Sequence, residues 1–109
     1  MKLVIAVVQD EDAPKLIETL MKKGYGVTKL ASTGGFLKSG NTTLFTGVNK
    51  EKLDDVIKII EEVCKSRKQV TSAPLPASWA SGVYMPYPVD VQVGGATIFV
   101  VNIDRFEKI

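Results

Sequence analysis

Leu3-Val4-Ile5-Ala6-Val7-Val8, an apolar run without a break, decides the fold of this 109-residue chain. Such a run, rich in β-branched residues, describes a strand that is apolar on both faces. Downstream, Asp10 or Asp12 is positioned to cap a helix, with Pro14 tolerated in its first turn. Leu16, Ile17, Leu20 and Met21 follow helical spacing, and Lys22 and Lys23 precede the terminating Gly24. Residues 27–33 read as a second strand and 43–48 as a third, joined by a glycine-rich hairpin connection at about 34–42. Asn49 caps a second helix whose apolar stripe is Leu53, Val56, Ile57, Ile60, Val63 and Cys64.

Between 66 and 88 the pattern breaks. Pro74, Pro76, Pro86 and Pro88 fall here among serines, which predicts a long loop. Residues 89–93 are expected to form a short strand paired, through Gly94-Gly95, with a last main strand at 96–103. The order β-α-β-β-α-β is that of a ferredoxin-like α+β sandwich, one domain spanning 1–109 with an extra short strand pair after the second helix. In that sandwich two helices cover one face of the sheet. The alternate side chains of the first strand then meet water in a lone chain, and covering each is worth about 1.5–3 kcal/mol. A second copy packed sheet to sheet is the expected cover.

The net charge is +2, from 14 basic and 12 acidic residues, far from the basic stripe of a duplex binder. No nucleic-acid polymer is expected as partner, whereas a small anion needs only a local positive site. No segment reaches the ~20 apolar residues that cross a bilayer, and residues 1–10 are too short for a signal peptide. The expectation is a cytoplasmic protein without membrane insertion. Cys64 is the sole cysteine, so no intrachain disulfide forms, and its place on the helix stripe makes it a buried hydrophobe. The chain has no histidine, which removes Ser-His-Asp and Cys-His catalysis and the commonest transition-metal ligand. Asp10, Glu11 and Asp12 read as helix-start capping rather than a metal site, so no metal and no cofactor are expected.

The segment Thr33-Gly34-Gly35-Phe36-Leu37-Lys38-Ser39-Gly40-Asn41-Thr42-Thr43 carries the chemistry. Glycines such as Gly35 let a ligand approach the main chain, so N–H groups can meet an anion. Phe36 offers a ring for stacking, Lys38 a charge and Asn41 a donor–acceptor pair. Taken alone, the segment reads more simply as a glycine-rich hairpin connecting two strands. It is not a P-loop: the lysine spacing is wrong and no helix follows. Thr28 on the second strand, Gly47 inside the third and Phe99 in the last are further candidates, each with a plain structural reading as strand former, bulge or core ring. Trp79, Tyr84 and Tyr87 sit in the Pro/Ser loop, as loop anchors or contact residues.

Six blocks in register resemble a known family: Ala6-Val7-Val8-Gln9-Asp10, Thr28 through Leu37, Gly40-Asn41-Thr42-Thr43, Gly47-Val48, Pro86-Tyr87-Pro88-Val89 and Val93-Gly94-Gly95-Ala96-Thr97. The chain resembles the cyclic-di-AMP receptor family of PII-like signal-transduction proteins over essentially its whole length. The resemblance implies a non-enzymatic bacterial receptor, a homotrimer that holds the second messenger cyclic di-AMP at its subunit interfaces. It implies Thr28, Gly35, Phe36, Leu37, Asn41, Gly47, Phe99 and Lys108 as ligand-binding residues. It also implies two flexible loops, around Phe36 and at about 66–88, that reorder on binding and signal to an unidentified downstream protein target. Gly26 stands where members can carry an arginine, and Lys108 where some carry a glutamine; Lys108 then offers a cation to the phosphodiester. The rival readings are a conventional PII-type ATP/ADP sensor and a nucleotide-processing enzyme, the latter opposed by the absence of an assignable acid–base pair.

Overall fold

A computed structural model describes residues 1–30, 40–74 and 86–109. Its elements are β1 (Lys2–Gln9), α1 (Ala13–Lys22), β2 (Thr28–Leu30), β3 (Asn41–Val48), α2 (Leu53–Cys64), β4 (Arg67–Pro74), β5 (Pro86–Val93) and β6 (Ala96–Asn102). A 3₁₀ turn, Lys50–Lys52, leads into α2. Four strands form an antiparallel sheet in the order β2-β3-β1-β6, and β4 and β5 pair with each other in a second sheet. The mixed α+β domain with an antiparallel sheet and two helices is the ferredoxin-like arrangement expected.

The apolar run of β1 takes the central position that its composition requires. Val4, Ala6 and Val8 are buried on the helix side, with Leu44 and Val48 of β3. From the helices, Ala13, Leu16 and Leu20 of α1 and Val56, Ile59, Ile60 and Cys64 of α2 complete one core. Ile59 belongs to this core although the stripe read from sequence omitted it, and Met21 of α1 is exposed instead. Gly24 adopts φ +90 and its N–H donates to the Met21 carbonyl, ending α1 as expected. The Tyr25 hydroxyl then donates to Asp55 Oδ2 at 2.6 Å, joining the end of α1 to α2.

Asn49 precedes the 3₁₀ turn and not α2 itself, and makes no side-chain capping hydrogen bond. Two further expectations fail for physical reasons. Asp12 occupies the position before α1 but makes no capping hydrogen bond. Its buried carboxylate instead accepts from Arg67 Nη2 at 2.8 Å, because a desolvated carboxylate gains more from a guanidinium than from a helix N–H. Residues 89–93 belong to β5, which pairs with β4 and not with β6, so the predicted loop at 66–88 begins and ends as strand. Pro74, Pro86 and Pro88 lie within this ladder. Both of its strands are edges, so a residue lacking an N–H is tolerated where that position faces outward. The part of the expected loop that includes Pro76, Trp79 and Tyr84 lies outside the described residues.

The ladder is anchored at its base. Arg67 reaches Asp12, the Gly94 N–H donates to Gln9 Oε1 at 2.8 Å, and the Gly95 N–H donates to the Cys64 carbonyl. Gly94 has φ +83. A Cβ at this position would lie 2.6 Å from Arg67 Nη1, 3.0 Å from the Cys64 carbonyl oxygen, and closer still to that of Lys65. Glycine is therefore required where the arm meets the body.

Candidate functional site

Directly opposed residues in an antiparallel sheet share a face, so the register sorts the candidates without ambiguity. Val4, Ala6 and Val8 point at the helices; Leu3, Ile5, Val7 and Gln9 point away from them. Opposite Ile5 lie Phe45 on one side and Phe99 on the other, and Thr28 lies opposite Phe45. The next row is Leu30, Thr43, Val7 and Thr97, and the row at the other end is Gly47, Leu3 and Val101. Asn41 pairs with Gln9 at the far corner. Thr28, Asn41, Gly47 and Phe99 thus share the face that no helix covers.

These residues line a surface and do not converge on a point. Thr28 and Phe99 stand three strand spacings apart, about 14 Å, and Asn41 and Gly47 six residues apart along β3, about 20 Å. Thr28 faces Phe45, with Gly47 its diagonal neighbour, whereas Asn41 lies at the opposite end and does not face Thr28. The surface between them is apolar. Phe99 is 53% exposed, Val101 46% and Leu30 37%, while Leu3, Ile5, Val7 and Phe45 are half-buried. Gly47 is exposed, and a Cβ there would meet nothing within 4 Å, so the backbone at this position is open to close approach. Gly26 likewise has free space around a Cβ. Thr46 Oγ1, on the helix side of β3, donates to the Gly26 carbonyl at 2.5 Å and fixes the chain as it enters β2.

Asn41 opens β3 directly after Gly40, whose φ is +93 and whose carbonyl accepts from the Asp10 N–H at 2.8 Å. Thr42 Oγ1 donates to Asp10 Oδ1 at 2.5 Å, so Asp10 ties β1 to the start of β3. Two clefts flank this corner. One of about 360 Å³ runs between Asn41, Gln9, Gly94, Gly95 and Thr97. The other, of about 580 Å³, lies between Asp10, Gly40, Asn41 and the Val91–Val93 end of β5. Gln9 borders both and also holds Gly94, so it stands between the Asn41 corner and the base of the arm.

Thr43, which the sequence did not single out, is 7% exposed, and its hydroxyl has no hydrogen-bond partner among the described residues. Gly35, Phe36 and Leu37 lie outside the described residues. Lys108 is exposed on the tail that follows β6. Cys64 is fully buried, and burial, with Asp12 nearby, pushes its thiol up to about 11. Arg67 is committed to Asp12 and to the Lys65 carbonyl, whereas the Lys65 side chain itself is exposed just after α2. Among the described residues no cluster of metal-ligating side chains occurs, and no helix is long and apolar enough to cross a membrane.

A family model described as "Cyclic-di-AMP receptor" matches residues 1–109, the whole chain. A solved structure described as a functionally unknown protein from Pediococcus pentosaceus ATCC 25745 superposes with a TM-score of 0.77 at 39% identity, covering 99% of this chain and 96% of that one. A "UPF0316 protein" of Acetivibrio thermocellus is 38% identical over 66 residues, 60% of this chain. The match spans 30% of that curated relative's length.

Proposed function

The chain belongs to the cyclic-di-AMP receptor family, and from that premise we propose that it binds cyclic di-AMP in clefts between the subunits of a homotrimer. Thr28, Asn41, Gly47 and Phe99 on the uncovered face carry this reading, together with Gly35, Phe36, Leu37 and Lys108. The observation behind it is the coincidence on one face of these residues and an unpartnered apolar surface. A broad, doubly anionic macrocycle suits contacts spread over such a surface better than a single small pocket does. Because Thr28 and Phe99 of one copy are strands apart, the Phe99 that closes on a ligand at Thr28 is supplied by a neighbouring copy.

In this mechanism Phe36 and Leu37 cover an adenine, and Asn41 and Thr28 supply hydrogen bonds to base or phosphate. Gly47 leaves the main chain open to the ligand, and Lys108 offers its charge to a phosphodiester. The protein acts as a cytoplasmic receptor without catalysis. Occupancy biases the connection around Phe36 and the β4–β5 arm, and a downstream protein reads the change; the ligand shifts that equilibrium only by its differential affinity for the two states.

Calorimetry with cyclic di-AMP, cyclic di-GMP and ATP, beside sedimentation with and without ligand, tests this. Selective cyclic di-AMP binding by a trimer is expected. Binding of ATP with no dinucleotide response, or a monomer at saturating cyclic di-AMP, refutes it.

A further inference from the structure

On β3 the residues that face away from the helices are Asn41, Thr43, Phe45 and Gly47. The two ends of that line are candidate ligand contacts; Thr43 lies between them, beside Val7 of β1 and Leu30 of β2. Its surroundings are apolar on both sides, and it is nearly inaccessible. A buried hydroxyl without a partner costs about 1–3 kcal/mol, and such groups are few in native proteins. Thr42 and Thr46, the other buried threonines closest along the strand, are both satisfied, by Asp10 and by the Gly26 carbonyl. Thr43 is thus the exception on a strand that otherwise pairs its buried hydroxyls.

We propose that Thr43 is a ligand-contact residue whose hydroxyl donates to an acceptor of the bound nucleotide, a purine ring nitrogen or a phosphodiester oxygen. The proposal rests on the reading of the uncovered face as the nucleotide site. Donation to the ligand supplies the partner that the described protein groups do not, so the group that weakens the free chain strengthens the complex. Its position midway between Asn41 and the Phe45–Thr28 row places it under a ligand that spans both.

Thr43→Val removes the hydroxyl at nearly constant shape and keeps a good strand former. Two readouts are expected to move in opposite directions. The ligand-free variant melts at a temperature a few degrees higher, since an unpaired polar group is gone. Its calorimetric affinity for cyclic di-AMP falls about 3- to 10-fold, the value of one hydrogen bond. Thr43→Ser, which keeps the hydroxyl, binds as the wild type does. Analogues carrying 7-deazaadenine or a phosphorothioate diester identify the acceptor, because the Thr43→Val penalty vanishes with the analogue that lacks it. Wild-type binding with an unchanged affinity in Thr43→Val overturns the role of Thr43 alone. A wild type that binds no cyclic dinucleotide overturns the nucleotide site itself. A Thr43→Val chain less stable than wild type in the absence of ligand shows the hydroxyl to be paired within the protein and also overturns the proposal.

Discussion

Gly94→Ala and Gly95→Ala form a matched pair that isolates the packing of the arm's base. Both glycines have positive φ, +83 and +94, and both variants therefore meet the same backbone penalty of about 1–2 kcal/mol. Their surroundings differ. A Cβ at Gly95 meets nothing within 4 Å, whereas one at Gly94 lies 2.6 Å from Arg67 Nη1 and against the backbone of Lys65 and Cys64. Backbone cannot swing aside as a side chain can, so the chain must shift. The shift breaks the hydrogen bonds from Gly94 to Gln9 and from Gly95 to Cys64, about 1 kcal/mol each. The expected costs are about 3–4 kcal/mol for Gly94→Ala and about 1–2 for Gly95→Ala. Urea unfolding at one fixed protein concentration measures both, and a gap near 2 kcal/mol separates their midpoints by about 1 M. Equal midpoints would refute the steric account of the joint.

Three further outcomes follow from the same geometry. Arg67→Met leaves the buried Asp12 carboxylate without its guanidinium and is expected to destabilise by about 1–3 kcal/mol, the partial exposure of Arg67 reducing the full cost of an orphaned buried charge; unchanged thermal stability contradicts the assignment. Cys64 keeps its proton in the folded chain up to about pH 11, against an ordinary 9.0, so the unfolded chain loses its proton first. Stability is then complete below pH 9 and falls between pH 9 and 11, by about 2–3 kcal/mol; a Cys64→Ala chain with the same decline shows the cause to lie elsewhere. Val101→Glu puts a charge on the uncovered face of β6 at a position already 46% exposed, so the chain is expected to fold while the association proposed above is lost; an unchanged sedimentation mass removes this face from the proposed subunit contact.

The elements with a strong period were legible in the residues. β1, α1 and α2 each present a run or stripe that only one geometry buries, and they lie where that reading places them. β5 was legible in part, at 89–93, but β4 and its pairing with β5 were not, because prolines signal a loop unless both strands are known to be edges, and edge status is a property of the sheet. The candidate site was legible as a list and not as an arrangement. Thr28, Asn41, Gly47 and Phe99 come from three strands, and only the register reveals that they share a face and that Asn41 stands far from Thr28. Thr43 escaped notice for a related reason: a threonine in a strand is unremarkable until its neighbours prove unable to pair with it. Ion pairing across the chain, as between Asp12 and Arg67, has no local sequence signal at all.

The central strand of the main sheet is made early and completed late. β1 leaves the ribosome almost the whole chain ahead of β6, its partner on one edge. At synthesis rates of about 5–20 residues per second, that interval lasts roughly 5–20 s. Throughout it, a six-residue apolar segment with open hydrogen-bonding groups awaits a neighbour. The nascent chain is accordingly expected to engage holding chaperones at this segment, and to release them only as the final strand docks.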